Sequence, residues 1–322
     1  MAIREVKLGK VATVKGGKRL PKGINLITKP NPHPYIRVRD LNGKKTLELD
    51  GSFEFVDDET QKAISRYIVT GGDIVLSIVG TIGLVSVVGD SLNEANLTEN
   101  CVKLTSLSGI DRDYLYYYLK SSYGQQEIAR GTVGAVQAKL PIKNIQDISI
   151  PLPDEVTQRK IADILSSLDA KIEVNQRIND NLYEIVNAYY TSLFKDVECE
   201  MTTIGNYAER IYSGGTPTTS NAAYWDGTFG WFSSGETRNR FVISTEKSIT
   251  QTGIDNSSTK LASKHDIVMA SAGQGFTRGQ TSMLLIDTYV NQSVIVIHAD
   301  RNILPYLFWN LANRYEAVSY TH

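Results

Sequence analysis

The stretch that decides the fold runs from Pro151 to Phe194 and reads PLPDEVTQRKIADILSSLDAKIEVNQRINDNLYEIVNAYYTSLF. Its two prolines stop whatever strand precedes them, and Asp154 stands where a helix N-cap is wanted. Beyond Asp154 there is neither proline nor glycine, so about 40 residues can form one helix on the order of 60 Å long. Apolar residues recur at alternating spacings of four and three: Ile161, Leu165, Leu168, Ile172, then Leu182, Val186 and Tyr189. Asn175 and Asn179 occupy the intervening seam positions. This is a coiled-coil pattern, with polar seam residues that fix register or partner at a cost in stability. A helix of this length outreaches a domain of about 150 residues, so its seam calls for another helix.

Outward from this segment the chain repeats itself. Residues 6–15 (VKLGKVATVK) recur in outline at 202–211 (TTIGNYAERI), and each copy leads to a glycine pair, Gly16 and Gly17 or Gly214 and Gly215. The run GDIV at Gly72–Val75 matches HDIV at His265–Val268, and each leads into a glycine turn at Gly80 or Gly273. Val102–Leu119 then aligns without a gap to Val294–Leu311, pairing Tyr114 with Tyr306 and Leu115 with Leu307. A period of roughly two hundred residues is too long for a solenoid and means two copies of one domain. Val85–Val88 and Val294–Ile297 read as strands. Asp113–Lys120 and Pro305–Ala312 read as helices, the second with proline at a helix start. The expected fold is α+β: two homologous mixed α/β domains, residues 1–153 and 197–322, joined by a long coiled-coil-type α-helix over 154–196.

Composition is that of an ordinary soluble globular protein: 322 residues, 41% hydrophobic and 21% charged. A net charge of −1 excludes a generic polyanion binder, so any nucleic-acid surface must be local. Two cysteines, Cys101 and Cys199, make no disulfide framework and suit a reducing cytoplasm. The N-terminal residues carry no apolar leader. The most apolar stretch, Ile74–Gly89, is broken by Gly80 and Gly83 and is shorter than the ~20 residues a membrane helix needs. It reads as two buried strands around a turn, and no membrane contact is expected.

The run ISIPLPDEVTQRKIADILSSLDAKI, residues 148–172, resembles the central region of the specificity subunits of type I restriction–modification systems. The points of resemblance are Ile150–Pro153 (IPLP), then Gln158 with Ile161, then Leu168 and Asp169 with Ile172. Ser213–Pro217 (SGGTP) at the start of the second copy is similar to that family too, as are Tyr224, Trp225, Gly227 and Trp231 after it. The resemblance covers nearly the whole chain. It implies two target-recognition domains, each reading half of a split sequence in double-stranded DNA, with helices between them as a ruler. Sixty ångströms spans roughly 17 base pairs at about 3.4 Å each. It also implies partners: modification (methyltransferase) subunits that use S-adenosylmethionine, and a restriction subunit, an ATP-dependent translocase and nuclease using ATP and Mg. No cofactor is expected on this chain. The family pattern has a second long helix antiparallel to the first, whereas here the second copy aligns only to the equivalent of Arg130. The expectation is an incomplete second domain, with self-association through the spacer helix as one way to fill the seam. A truncated, regulatory or decoy subunit that binds modification subunits without directing methylation is the alternative.

The first 45 residues hold twelve Lys and Arg against two acids, an asymmetry suited to displacing phosphate counterions. A solvated basic face is the plain alternative. Candidate DNA contacts here are Lys15, Lys18, Arg19 and Lys22 around a glycine-rich loop, with Arg37, Arg39 and Lys44. Arg37 and Arg39 read as sharing one face of a strand, and Arg is the commonest guanine reader. The second copy offers amides and hydroxyls instead: Ser233, Ser234, Arg238, Asn239 and Arg240, then Gln274, Arg278 and Gln280. Asn and Gln suit adenine. Trp225, Trp231 and the tyrosines at 114 and 116–118 read as packing residues.

Catalysis by this chain is not expected. Asn31–Tyr35 (NPHPY) only approaches the Asn/Asp-Pro-Pro-aromatic tetrad of an amino-methyltransferase, because its third residue is histidine. Gly16–Arg19 lacks the upstream glycine and the Ser/Thr of a phosphate-binding loop. No nuclease carboxylate pattern follows Pro153 and Asp154, and His33, His265, His298 and His322 lack metal-ligand spacing.

Overall fold

The computed structural model describes residues 4–41, 43–134, 137–195, 197, 198, 200–272 and 277–319, with residues 316–319 by backbone alone. It divides into two compact units, residues 1–179 and 180–322.

In the first unit a five-stranded sheet runs in the order Thr46–Leu47, Val85–Val88, Ile74–Ser77, Cys101–Thr105, Thr13–Gly16. Its two central strands, Ile74–Ser77 and Val85–Val88, are buried on both faces, which is why they read as continuous apolar runs. Alternate residues serve different cores. Ile74 and Leu76 pack with Leu104, Leu115 and Leu119, while Val75 packs with Ile36, Leu47 and Leu97. A smaller sheet orders Glu54–Phe55, Pro34–Ile36, Asn96–Leu97. The turn foreseen between the central strands is closed by Ser77, whose hydroxyl donates to the Thr81 carbonyl at 2.6 Å and accepts the Leu84 N–H at 2.9 Å. The helix Arg112–Lys120 starts where the Asp111 carboxylate accepts the Tyr114 N–H, a cap contributing about 1 kcal/mol.

The second unit repeats this plan. Its five-stranded sheet runs Phe241–Val242, Thr281–Leu284, Ile267–Ala270, Val294–Ala299, Ala208–Ser213. The smaller sheet runs Lys247–Ile249, Trp225–Phe232, Thr288–Val290, Lys260–Ala262. The last strand is reduced in the first unit to a single antiparallel bridge between Ile68 and Asn96. In both units the first edge strand is parallel to its neighbour and the remaining pairs of the five-stranded sheet are antiparallel.

The ungapped alignment over the last strand and helix needs one correction. Ile74 faces Leu104 across the ladder, and Ile267 faces Ile297. Leu104 therefore corresponds to Ile297 and not to Val296, so one residue is inserted between this strand and the helices beginning at Arg112 and Leu304. Side chains alternate faces along a strand, so this slip exchanges which residues are buried. The glycine pairs also superpose one residue differently. Gly17 and Gly214 occupy the same close approach, where an added Cβ would lie 2.0 Å from the Thr98 carbonyl oxygen and 1.9 Å from that of Val290.

One helix spans Glu155–Phe194, 40 residues, and the Asp154 carboxylate accepts the Thr157 N–H at 2.9 Å as its cap. Its first part packs on the first unit. Gln158, 2% exposed, accepts the Asp111 N–H and donates to the Pro153 carbonyl, and Ala162 enters the core. Its last part packs within the second unit, where Tyr183 lies 4.8 Å from the Trp309 ring and Phe194 lies 5.3 Å from Tyr306. Of the expected seam, Leu165 is half-buried; Ile161, Leu168, Ile172, Asn175, Asn179, Leu182, Val186 and Tyr189 are exposed.

Candidate nucleic-acid interface

The basic N-terminal segment folds so that acids from distant positions meet many of its cations. Arg19 Nε donates to Glu99 at 2.6 Å. Lys45 donates to Asp113 at 2.8 Å, whereas Lys7 donates to neutral acceptors, the Asp147 main-chain carbonyl at 2.7 Å and the Ser149 hydroxyl at 2.9 Å. Arg37 and Arg39 do not share a strand. The strand ends at Ile36, and Val38–Asp40 form a 3-10 turn because the buried Asp40 carboxylate accepts the Arg37 N–H at 2.8 Å. That turn brings both guanidinium groups onto Glu54. The Arg37 side chain, 17% exposed, is held by Asp40 and Glu54 together, while Arg39 remains exposed on its outer side. Lys10, Lys15, Lys22 and Lys29 keep exposed ammonium groups with no ion pair among the described residues. Lys44 is exposed as well. Lys18 is exposed and lies 5.6 Å over the Tyr67 ring.

The turn carrying Lys18 and Arg19 is rigidly seated. Gly17 passes tight against Leu97 and Thr98, and the Lys18 N–H donates to Leu97 while its carbonyl accepts the Tyr35 hydroxyl at 2.7 Å. Burial pushes that hydroxyl's pKa up, keeping it a donor. The Arg19–Glu99 pair bolts the turn to the adjoining loop. In the second unit the equivalent bolt is neutral: the Thr216 hydroxyl donates to Gln292 at 2.6 Å.

The second unit's candidates gather on the turn Ser234–Arg238, the counterpart of Val38–Asp40. Buried Glu236 replaces Asp40, accepting the Ser233 N–H at 2.9 Å and the Glu246 N–H at 2.8 Å. Thr237 donates to the Ser234 carbonyl and to Gln280, so Ser234 and Gln280 lie side by side. Ser233 and Ser234 are half-buried, and Asn239 and Arg278 are exposed. Arg238 is paired with Glu246. Arg240 is committed elsewhere, its guanidinium 3.6 Å from the Tyr183 ring centroid. Gln274 lies outside the described residues. Trp231 is buried, with Trp225 edge-on against it at 5.0 Å.

Sequence reasoning passed over Asp40 and Glu236, although the Ser-x-x-Glu spacing of 233–236 is a capping signature. It also counted Lys45 in the basic patch. Lys45 precedes the edge strand at the position Arg240 holds in the second unit, since the Lys45 carbonyl accepts from Val87 as that of Arg240 does from Met283. Its ammonium donates to Ser166 of the long helix at 2.7 Å and lies 4.9 Å over Tyr117, whose hydroxyl donates to Asp169 at 2.7 Å. Both residues are thus fasteners of the long helix. Cys101 is fully buried, and desolvation pushes its thiol to about 12, so it is an inert core residue. Among the described residues no three His, Cys, Asp or Glu group as a metal site would require, and no helix is long and apolar enough to cross a membrane.

The family described as the type I restriction modification DNA specificity domain matches residues 3–184. The type I restriction enzyme MjaIX specificity subunit of Methanocaldococcus jannaschii is 25% identical over 165 residues, 51% of this chain and 38% of the relative. The EcoR124I/EcoR124II specificity subunit of Escherichia coli is 24% identical over 210 residues, 62% of this chain and 51% of the relative. This chain therefore spans about half the length, or less, of the curated relatives it matches. In fold it is similar to the crystal structure of the type I restriction–modification S subunit from M. genitalium, with a TM-score of 0.56 at 17% identity, covering 100% of this chain and 79% of that one.

Proposed function

Since this chain belongs to the type I restriction modification DNA specificity family, we propose that it reads a bipartite sequence in double-stranded DNA, one half with each unit. The observation that carries this reading is the duplication: the same strand order and edge polarity occur twice, on either side of one continuous helix. A duplicated reader joined by a stiff spacer suits two half-sites separated by a fixed gap. The helix then sets that gap.

In the first unit Lys15, Lys18, Lys22 and Lys44 contact phosphates, with Arg19 and Arg39 at base edges. Arg37 orients Arg39 through their shared Glu54. In the second unit Ser233, Ser234, Asn239, Arg278 and Gln280 form the reading group, and amides favour adenine. The chain performs no catalysis in this reading. Modification subunits supply the S-adenosylmethionine chemistry, a restriction subunit supplies the ATP- and Mg-dependent steps, and the complex works in the cytoplasm. Methylation mapping of cells with and without this gene, in the presence of modification subunits, tests the proposal. A new two-part methylated motif is expected. No motif, with the modification subunits still captured by the chain, would replace the reader with a decoy.

A further inference from the structure

We propose that each unit reads one base through a matched pair of side chains at the same place in its fold: in the first unit Arg19, positioned by Glu99, on guanine, and in the second Gln292, positioned by Thr216, on adenine. This deepens the bipartite reading proposed above and rests on it. It adds Glu99, Thr216 and Gln292 to the residues that set the target.

The hydrogen bonds around the two pairs make them equivalent. The Lys18 N–H donates to the Leu97 carbonyl and that of Gly215 to the Val290 carbonyl, so Arg19 and Thr216 each follow the anchored residue of the glycine turn. In the facing loop the Thr98 N–H donates to Ile36 and that of Asn291 to Phe232, while the Thr98 and Asn291 carbonyls accept from Cys101 and Val294. Glu99 and Gln292 therefore hold one position. The side-chain bond across the gap is 2.6 Å in both units, although neither residue type is shared. Two copies of one domain that meet different half-sites must differ where they touch bases, and here the backbone frame is kept while the chemistry changes.

Each pair leaves free the groups that a base edge needs. Arg19 is 80% exposed, and among the described residues its guanidinium is engaged through Nε alone, by Glu99. Its two terminal NH2 groups remain as the fork that binds guanine O6 and N7. Glu99 is itself held, since its other oxygen accepts the Thr98 hydroxyl at 3.1 Å. The guanidinium thus meets DNA with its long side chain already ordered, which lowers the cost of binding. Lys18 and Lys22, both exposed, flank it on the same loop, where phosphate contacts fix register. In the second unit the reader sits on the other loop. Gln292 is exposed, and the Thr216 hydroxyl donates to its Oε1. That bond orients the amide and leaves one Oε1 lone pair and both Nε2 hydrogens. These accept from adenine N6 and donate to N7.

Reciprocal transplants test this, read by methylation mapping in cells that hold the modification subunits. Arg19→Thr/Glu99→Gln should replace a guanine requirement in the first half-site with an adenine requirement and leave the second half unchanged. Thr216→Arg/Gln292→Glu should make the opposite exchange in the second half alone. Two single variants, assembled with modification subunits and compared by filter binding on duplexes differing at that base, separate positioning from folding. Glu99→Ala should lower discrimination for guanine on the order of tenfold, and Glu99→Gln, which keeps an acceptor for Arg19 Nε, should restore most of it. If the natural chain directs no two-part motif, the bipartite reading fails and this pairing with it. If a motif stands but its first half requires no G·C pair, or the folded transplants change neither half or lower methylation equally on all sequences, the pairing alone is overturned. Equal discrimination by Glu99→Ala and the natural chain would overturn it too.

Discussion

Replacing Lys45 with methionine removes a fastener of the long helix and leaves its hydrocarbon stem in place. The Lys45 side chain is 19% exposed, and its ammonium bonds Asp113 at 2.8 Å and Ser166 at 2.7 Å and lies 4.9 Å from the Tyr117 ring centroid. A charged hydrogen bond contributes about 1.5–3 kcal/mol and a partly desolvated cation–π contact about 1 kcal/mol. Asp113 is not orphaned, because Arg112 still donates to it at 2.8 Å, so the full cost of a broken buried pair, about 3–5 kcal/mol, does not apply. The expected loss is about 2–4 kcal/mol. Since the two units need not unfold together, the assay is native-state hydrogen exchange resolved along the chain. Protection should fall mainly across residues 160–170 and 112–120. Desolvation raises the Asp113 pKa, but hydrogen bonds from Arg112 and Lys45 outweigh it and hold the carboxyl below its ordinary value. Its stabilisation is therefore complete above the usual carboxylate range near pH ~4 and lost as pH falls through the lower folded value. In Lys45→Met the folded value moves back toward the ordinary one, so the acid-dependent loss of stability should be smaller. A change under about 0.5 kcal/mol, or one spread evenly over both units, would refute the assignment of Lys45 as a helix fastener.

Lys18→Ala and Lys22→Ala should each weaken DNA binding about equally on all sequences and lower the salt slope by about one, whereas Lys45→Met should leave that slope unchanged; filter binding across a salt series distinguishes them. His265 has φ +80°, at the position where the first unit has Gly72 at +88°, so His265→Gly should stabilise the second unit by about 0.5–1 kcal/mol, read from its urea midpoint. Gly214→Ala drives a methyl group to 1.9 Å from the Val290 carbonyl oxygen and should cost about 3 kcal/mol or more, read from the same midpoint.

The parts of this fold that were legible in the sequence are those written in local pattern. The absence of Pro and Gly after Asp154 foretold a helix that does run Glu155–Phe194, and GDIV and HDIV marked strands that occupy the same place in both sheets. Ile74–Gly89 read correctly as two buried strands around a turn. What escaped notice depended on contacts across long separations. Arg19 finds Glu99, Lys45 finds Asp113, and Arg37 finds Glu54, and each pairing ties a member of an apparent basic run to an acid elsewhere in the fold. Alternation put Arg37 and Arg39 on a strand, but one buried carboxylate, Asp40, bonded the backbone and turned it. Such side-chain competition for backbone N–H groups is local, yet it is decided by whether the acid is buried. The one-residue slip before Arg112 was invisible for a related reason: an apolar strand reads alike in either register until its neighbours fix the face.

The bolt that holds each unit's glycine turn gives the two halves different tolerances to their surroundings. Arg19 is 80% exposed, so added electrolyte shields its attraction to Glu99, whereas the Thr216–Gln292 link has no net charges to shield. As ionic strength climbs, the ionic bolt of the first unit weakens while the neutral one of the second is little affected, and Gly17, Lys18 and Tyr35 alone are left to seat the first turn.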